Sequence, residues 1–354
     1  MKTNLSNLKD IARSLVSSGK GILAADESTG TIEKRFKIIQ VASTEQSRRA
    51  YRELLFGTPG LGHYISGVIL FDETLRQRAA NDTTMPELLQ RQGIIPGIKV
   101  DKGAKALALF AGEKVTEGLD GLRDRFVEYA RLGAQFSKWR AVITIGDDIP
   151  TPFCLEANAH ALARFAALSQ EAGLVPIVEP EVLMDGPHPI ERCEEVTNAA
   201  MAAVFKTLAA HHVQFEGMLL KPNMVVSGKD CPAQAGPDEV AAATLRCLKR
   251  FVPAAVPGIV FLSGGLSDVA ATQNLNAMNR LGPAPWELSF SFGRALQAPA
   301  LQTWAGQAEN VTAAQQALLH RARCNHEARF GRDDESKDFT AKVTCASSSP
   351  EKAT

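Results

Sequence analysis

Long apolar runs are missing from this 354-residue chain; none approaches the roughly 20 residues that a membrane-spanning helix requires. An excess of charge of one sign is missing too. Lys and Arg together number 39, as do Asp and Glu, giving a net charge of zero. No overall field then draws the protein to nucleic acid or to an anionic membrane surface. The six cysteines (Cys154, Cys193, Cys231, Cys247, Cys324, Cys345) form no C-x-x-C pair and no dense framework. In a chain this long they read as reduced thiols, most of them packing residues. Lys9, Asp10 and Arg13 interrupt the stretch that a secretory leader would need to keep apolar. A cytoplasmic protein with no leader is expected. The seven histidines show neither H-x-H nor H-E-x-x-H, and His211-His212 ends a helical stretch, so no metal site is expected.

What is present is a repeated alternation. Apolar residues make up 45% of the chain and mean hydropathy is −0.08, enough for a sizeable core. Eight short β-rich runs begin at residues 21, 65, 94, 134, 174, 215, 257 and 286, with starts 29 to 44 residues apart. Each gap holds a loop and a crossover helix, and the runs read as parallel strands buried on both faces. Helical patterns lie between them, at 157–173 (stopped by Gly173), 191–211 and 237–251. Eight such units in series predict a closed (β/α)8 barrel of class α/β, with an extra N-terminal helix and a C-terminal helix. The runner-up is an open doubly wound sheet; neither G-x-G-x-x-G nor G-x-x-x-x-G-K-[ST] follows the first run to support it. One domain over 1–330 is expected, with the polar, Ser- and Lys-rich segment 331–354 as a mobile tail.

The informative residues are charges set into these apolar runs. Side chains two apart on a strand share a face. Lys99 with Asp101, Lys138 with Arg140, Glu179 with Glu181, Asp26 with Ser28, and Ser291 with Gly293 are such pairs, and in the sixth run Lys221 follows Met218-Leu219-Leu220 and precedes Pro222. All fall near the C-terminal ends of their runs, where barrel enzymes place their chemistry. A single such charge is most often a solvated rim group or a structural ion pair. Five strands doing the same thing is different, because a barrel interior has little room for unneeded charge. Among Lys99, Lys138 and Arg140, like-charge repulsion and desolvation are expected to push the Lys221 amine toward its neutral form, able to attack a carbonyl. Glu179 and Glu181 are candidates for moving protons, and Asp26 for deprotonating a substrate hydroxyl.

A second group, Ser263-Gly264-Gly265 after the seventh run and Ser291-Phe292-Gly293-Arg294 after the eighth, falls where barrels commonly bind phosphate. Lys99 and Arg140, together with Lys34 and Arg35, are expected on the opposite side of the mouth. Two basic clusters around one lysine suggest a substrate carrying a phosphate at each end. Trp139 and Trp286 read as packing residues, and Asp72-Glu73 either joins the mouth or simply ends the second strand.

With these residues in view, the chain resembles the class I fructose-bisphosphate aldolases. The segments GKGILAADESTGTIEKRF, GIKVDKG, LDGL, FSKWRAV, PIVEPEVL, EGMLLKPNMV, FLSGG and SFSFGRALQ carry the resemblance, in family order from about residue 10 to about 305. It implies a barrel that reversibly cleaves fructose bisphosphate to dihydroxyacetone phosphate and glyceraldehyde phosphate, without metal or other cofactor and as a homotetramer. It further implies Lys221 as the Schiff-base lysine and Asp26 as the base for carbon–carbon cleavage. Glu179 matches the acid and base of dehydration, with Glu181 beside it, and Lys138 the group that stabilises developing negative charge. Ser28, Lys34, Arg35, Lys99, Asp101 and Arg140 fall at substrate contacts, and Ser263, Gly264, Gly265, Ser291, Gly293 and Arg294 at a phosphate site. Two departures stand out. The last tyrosine is Tyr129, so the C-terminal tyrosine of animal members has no counterpart, and SGGLSD replaces the commoner SGG-Gln. Another Schiff-base sugar-phosphate lyase or transferase, or a non-catalytic scaffold on the same barrel, are the alternative readings.

Overall fold

The computed structural model describes residues 5–333. All eight runs become strands of one closed parallel barrel. They are β1 (Gly21–Ala25), β2 (Ile65–Leu70), β3 (Ile95–Lys99), β6 (Phe136–Ile143), β7 (Val175–Val182), β8 (Leu219–Leu220), β9 (Gly258–Phe261) and β10 (Glu287–Phe292). They neighbour one another in that order, and β10 returns to pair with β1 through Ile22 and Ser291. The sequence reading missed β4 (Ala104–Ala106) and β5 (Lys114–Thr116), a small antiparallel hairpin between β3 and β6.

Helices cover the outside, apart from the first, which packs on the barrel interior. Those preceding β6 are α1 (Leu5–Leu15), α2 (Thr29–Ile38), α3 (Glu45–Phe56), α4 (Asp72–Arg76), α5 (Met85–Gln90) and α6 (Leu122–Arg131). Those after it are α7 (Pro152–Glu171), α8 (Ile190–Ala210), α9 (Pro237–Phe251), α10 (Asp268–Arg280), α11 (Arg294–Trp304) and α12 (Val311–Ala328). The helix read as 157–173 begins earlier because Thr151 caps it, accepting a bond from Cys154 N at 3.2 Å, with Pro152 in the first turn. Asp72 and Glu73 open α4 just after β2 and pair with Arg76 and Arg48, and neither lines the cavity at the strand ends. Beyond Asp333, the segment read as a tail lies outside the described residues.

The two-residue period of the strands separates two cores. Ile22, Ala24, Ile69, Phe136, Val175, Ile177, Leu219 and Val260 point inward and pack with Leu8, Ala12 and Leu15 of α1. Alternate residues such as Leu23, Ala25, Val68, Leu70, Ile98 and Trp139 point outward against the helices. Trp139, read as packing, is buried and stacks on Phe165 of α7 with ring centroids 5.8 Å apart. The parity then dictates the chemistry. Continuing each inward set toward the strand C-terminus gives Asp26, Lys138, Arg140, Glu179, Glu181 and Lys221.

Close ring packing holds the interior layer in place. A Cβ on Gly97 would fall 2.3 Å from the Phe136 ring, itself fully buried. Gly97→Ala is therefore expected to destabilise the protein by about 2 kcal/mol through overpacking. A lower urea midpoint at unchanged slope checks this; an unchanged midpoint would mean that the ring yields freely.

Candidate active site

A cavity of about 570 Å³ opens at the C-terminal end of the barrel strands. Every candidate catalytic or substrate-binding residue read from the sequence lines it. Asp26 follows β1, Ser28 sits at the N-cap of α2, and Lys34 and Arg35 lie within α2; β3 and the residues just after it supply Lys99 and Asp101. Lys138 and Arg140 come from β6, Glu179 and Glu181 from β7, and Lys221 from just beyond β8. Ser263, Gly264 and Gly265 follow β9, while Ser291, Gly293 and Arg294 come from the end of β10 and the start of α11.

At the floor lies a continuous chain of alternating charge. Asp26 Oδ2 is 2.7 Å from Lys138 Nζ, Lys138 Nζ is 3.0 Å from Glu179 Oε2, and Glu179 Oε1 is 3.1 Å from Lys221 Nζ. The Lys138, Glu179 and Lys221 side chains are each 5% exposed or less. Burial alone would raise the Asp26 pKa; Lys138 and Lys221 outweigh it and hold the carboxyl well below its ordinary range. Glu179 is likewise lowered, with Lys138, Lys221 and Arg140 overcoming burial. Lys138 is pushed above the usual lysine range, because Asp26 and Glu179 outweigh the burial that would lower it. The floor is thus two carboxylates bridged by a fixed ammonium.

A second tier sits around it. Lys99 Nζ lies 2.7 Å from Asp101 Oδ1, whose other oxygen accepts from Arg140 N at 3.3 Å. Arg140 Nε pairs with Glu181. Glu181 in turn faces Gly264, where a Cβ would come within 2.7 Å of its Oε1, so a side chain there would push the carboxylate aside. The buried Ser291 Oγ makes no hydrogen bond to any described residue. Arg294 donates to Leu266 O at 3.3 Å.

Lys221 Nζ lies against the Glu179 carboxylate because β7 and β8 are neighbours, so anions and cations alternate around it. One expectation is corrected: Arg35 does not share the side of Lys99 and Arg140. It lies beside the β10 end, with Nη2 3.9 Å from where a Gly293 Cβ would stand, because barrel closure makes the first and last strands adjacent.

Some contributors escaped sequence reasoning. Asn223, two residues after Lys221, accepts from Val182 N at 3.0 Å and ties the segment after β8 to β7. Lys221 N donates to Val178 O at 2.8 Å in the same seam. Glu27 lines the cavity beside Asp26 and pairs with Arg35 and Arg52. The only signal for Glu27 was its adjacency to Asp26 at the strand end. Among the described residues no group of three or more His, Cys, Asp or Glu is arranged to hold a metal ion.

Comparison with known proteins agrees with this geometry. The family model described as "Fructose-bisphosphate aldolase class-I" matches residues 7–349. A probable fructose-bisphosphate aldolase class 1 of Xylella fastidiosa (strain 9a5c) is 56% identical over 330 residues, covering 93% of this chain and 99% of that protein. Fructose-bisphosphate aldolase 4, cytosolic, of Arabidopsis thaliana is 55% identical over 88% of this chain and 80% of its own length. The solved Plasmodium falciparum fructose-bisphosphate aldolase, in complex with TRAP and a small-molecule inhibitor, superposes with a TM-score of 0.92 at 51% identity. That match covers 93% of this chain and 95% of the other. An eight-stranded barrel with charge converging at its C-terminal mouth, matched by family model, sequence and structure over nine-tenths of its length, leaves one assignment: the chain belongs to the class I fructose-bisphosphate aldolase family.

Proposed function

We propose that the protein cleaves fructose 1,6-bisphosphate reversibly to dihydroxyacetone phosphate and glyceraldehyde 3-phosphate through a Schiff base on Lys221, with no metal in the reaction. The observation that carries this is the buried chain Asp26–Lys138–Glu179–Lys221. It supports a reading with a nucleophile, a proton acceptor and a second base in one cavity.

The steps follow from those contacts. Glu179 takes a proton from Lys221, and the freed amine adds to the substrate ketone carbon. The protonated Glu179 returns the proton to the resulting hydroxyl, water leaves, and an iminium forms on Lys221. Asp26, ionised and within reach of the cavity, removes the proton from the C4 hydroxyl. The C3–C4 bond breaks, its electrons move into the iminium to give an enamine, and the aldehyde departs. Protonation at C3 and hydrolysis release the ketone and restore Lys221. Lys138, touching both carboxylates, stabilises the negative charge that passes between them.

Placement of the phosphates follows from strand order. β8 pairs with β9, so the phosphate one carbon from the ketone meets Ser263, Gly264, Gly265, Ser291, Gly293 and Arg294. The far phosphate extends toward Lys99 and Arg140, with Ser28 and Lys34 at the rim. A cavity of about 570 Å³ suits a sugar bisphosphate. By family likeness the working form is a cytoplasmic homotetramer.

A coupled cleavage assay tests the reading. Activity is expected to persist in excess EDTA, and kcat/KM for fructose 1-phosphate to fall by about tenfold or more, since charge-assisted phosphate contacts are lost. Cleavage that EDTA abolishes, or no cleavage of either sugar, contradicts it.

A further inference from the structure

The two acidic residues that follow β1 part company. Asp26 turns into the barrel, while Glu27 turns toward α2, α3 and α11 with only 4% of its side chain exposed. There its carboxylate is fully engaged. Oε2 accepts from Arg52 Nη2 at 2.5 Å; Oε1 accepts from Gln297 Nε2 at 2.8 Å and from Arg35 Nη1. Gln297 is itself fixed, since its amide also donates to Ala24 O at 2.7 Å and its carbonyl oxygen accepts from Tyr51 OH at 3.2 Å. Burial alone would raise the Glu27 pKa, but Arg52 and Arg35 outweigh it and keep the carboxyl below its ordinary range.

The charges in this cluster do not cancel. Two guanidiniums share one carboxylate, leaving one positive charge over. Arg52 cannot deliver that charge to a ligand, being 3% exposed on its side chain. Arg35 can: it lines the cavity, is 22% exposed, and directs Nη2 toward the Gly293 turn while Nη1 is held by Glu27. A buried excess charge is costly unless a counter-ion completes it. An anion seated at the β10–α11 turn is placed to do so.

We propose that Glu27, backed by Arg52 and Gln297, is a positioning residue that orients Arg35 toward the substrate phosphate at the β10–α11 turn. It touches no reacting atom; it holds one edge of a guanidinium so that the other edge faces the ligand. The proposal rests on the sugar-bisphosphate reading above and deepens it. Without the Glu27 carboxylate, Arg35 loses its anchor, and Arg52 is left to repel it.

The test uses borohydride trapping of the full-length protein with two ketones, dihydroxyacetone phosphate and unphosphorylated dihydroxyacetone. In Glu27→Gln, the half-saturating concentration of dihydroxyacetone phosphate is expected to rise about tenfold, the cost of one misdirected charge-assisted contact. Adduct formation from dihydroxyacetone should stay within about twofold of the parent, because no phosphate is present to be held. Should Glu27→Gln not fold, Gln297→Met carries the test, with a rise of about threefold on the same split. A folded variant with unchanged half-saturation for the phosphorylated ketone overturns the proposal. Equal losses with both ketones also overturn it, since that would mark a purely structural role. If the parent itself gives no adduct with either ketone, the Schiff-base reading has failed and this proposal falls with it.

Discussion

Lys221→Met is expected to lower kcat for fructose-bisphosphate cleavage by on the order of 10⁵-fold, the scale seen when a covalent nucleophile is removed. The variant should fold. Lys221 is buried and its amine contacts Glu179, so a shorter or polar replacement would leave either a void or an unpaired group. Methionine fills much of the same volume with an unbranched chain. The Glu179 carboxylate that loses Lys221 keeps Lys138 at 3.0 Å, so no buried anion is left without a counter-ion. The groups of β9, β10 and α11 proposed to hold phosphate are untouched. The expected pattern is a near-total loss of turnover with an unchanged melting transition and retained competitive binding of a bisphosphate inhibitor. A variant keeping more than about one-hundredth of parental kcat would mean that the bond is broken without this nucleophile.

Lys138→Met is expected to cost about 10³-fold in kcat/KM near neutral pH and to move the acid limb of the pH profile upward by one unit or more. The sign follows from what Lys138 opposes. In the parent, Asp26 has a folded-state pKa below its ordinary value of 3.8. Its ionisation therefore stabilises the fold above that ordinary value, and the contribution is lost only as pH falls through the lower folded value. Burial acts the other way and is the largest single influence on both Asp26 and Glu179. With Lys138 gone, burial and carboxylate–carboxylate repulsion raise both pKa values. Protonated acids can then neither deprotonate the C4 hydroxyl nor accept the Lys221 proton. The pH dependence of kcat/KM, measured beside that of the parent, decides the matter. An acid limb that does not move would show that Lys138 fixes geometry alone and not the charge of its neighbours.

Much of this was legible along the chain because barrel strands announce themselves twice. Their apolar runs gave the eight strands, and the two-residue period gave the inward face, so Lys138 and Arg140 or Glu179 and Glu181 could be paired before any coordinates. The misplacement of Arg35 shows where linear reading stops. Residue 35 lies far from residue 293 in the chain, and only closure of the ring between β1 and β10 brings them together. The Glu27–Gln297 contact spans 270 positions and was invisible for the same reason. The β4–β5 hairpin was missed because its strands are three residues each and largely exposed, with no apolar alternation to mark them.

Reductive trapping with borohydride in the presence of dihydroxyacetone phosphate, followed by peptide mapping, tests the central claim most directly. One adduct is predicted, on the peptide containing Lys221, with none on Lys99 or Lys138 and none in Lys221→Met. A folded parent protein that yields no adduct, or an adduct mapped to another lysine, would contradict the Schiff-base assignment and every role derived from it.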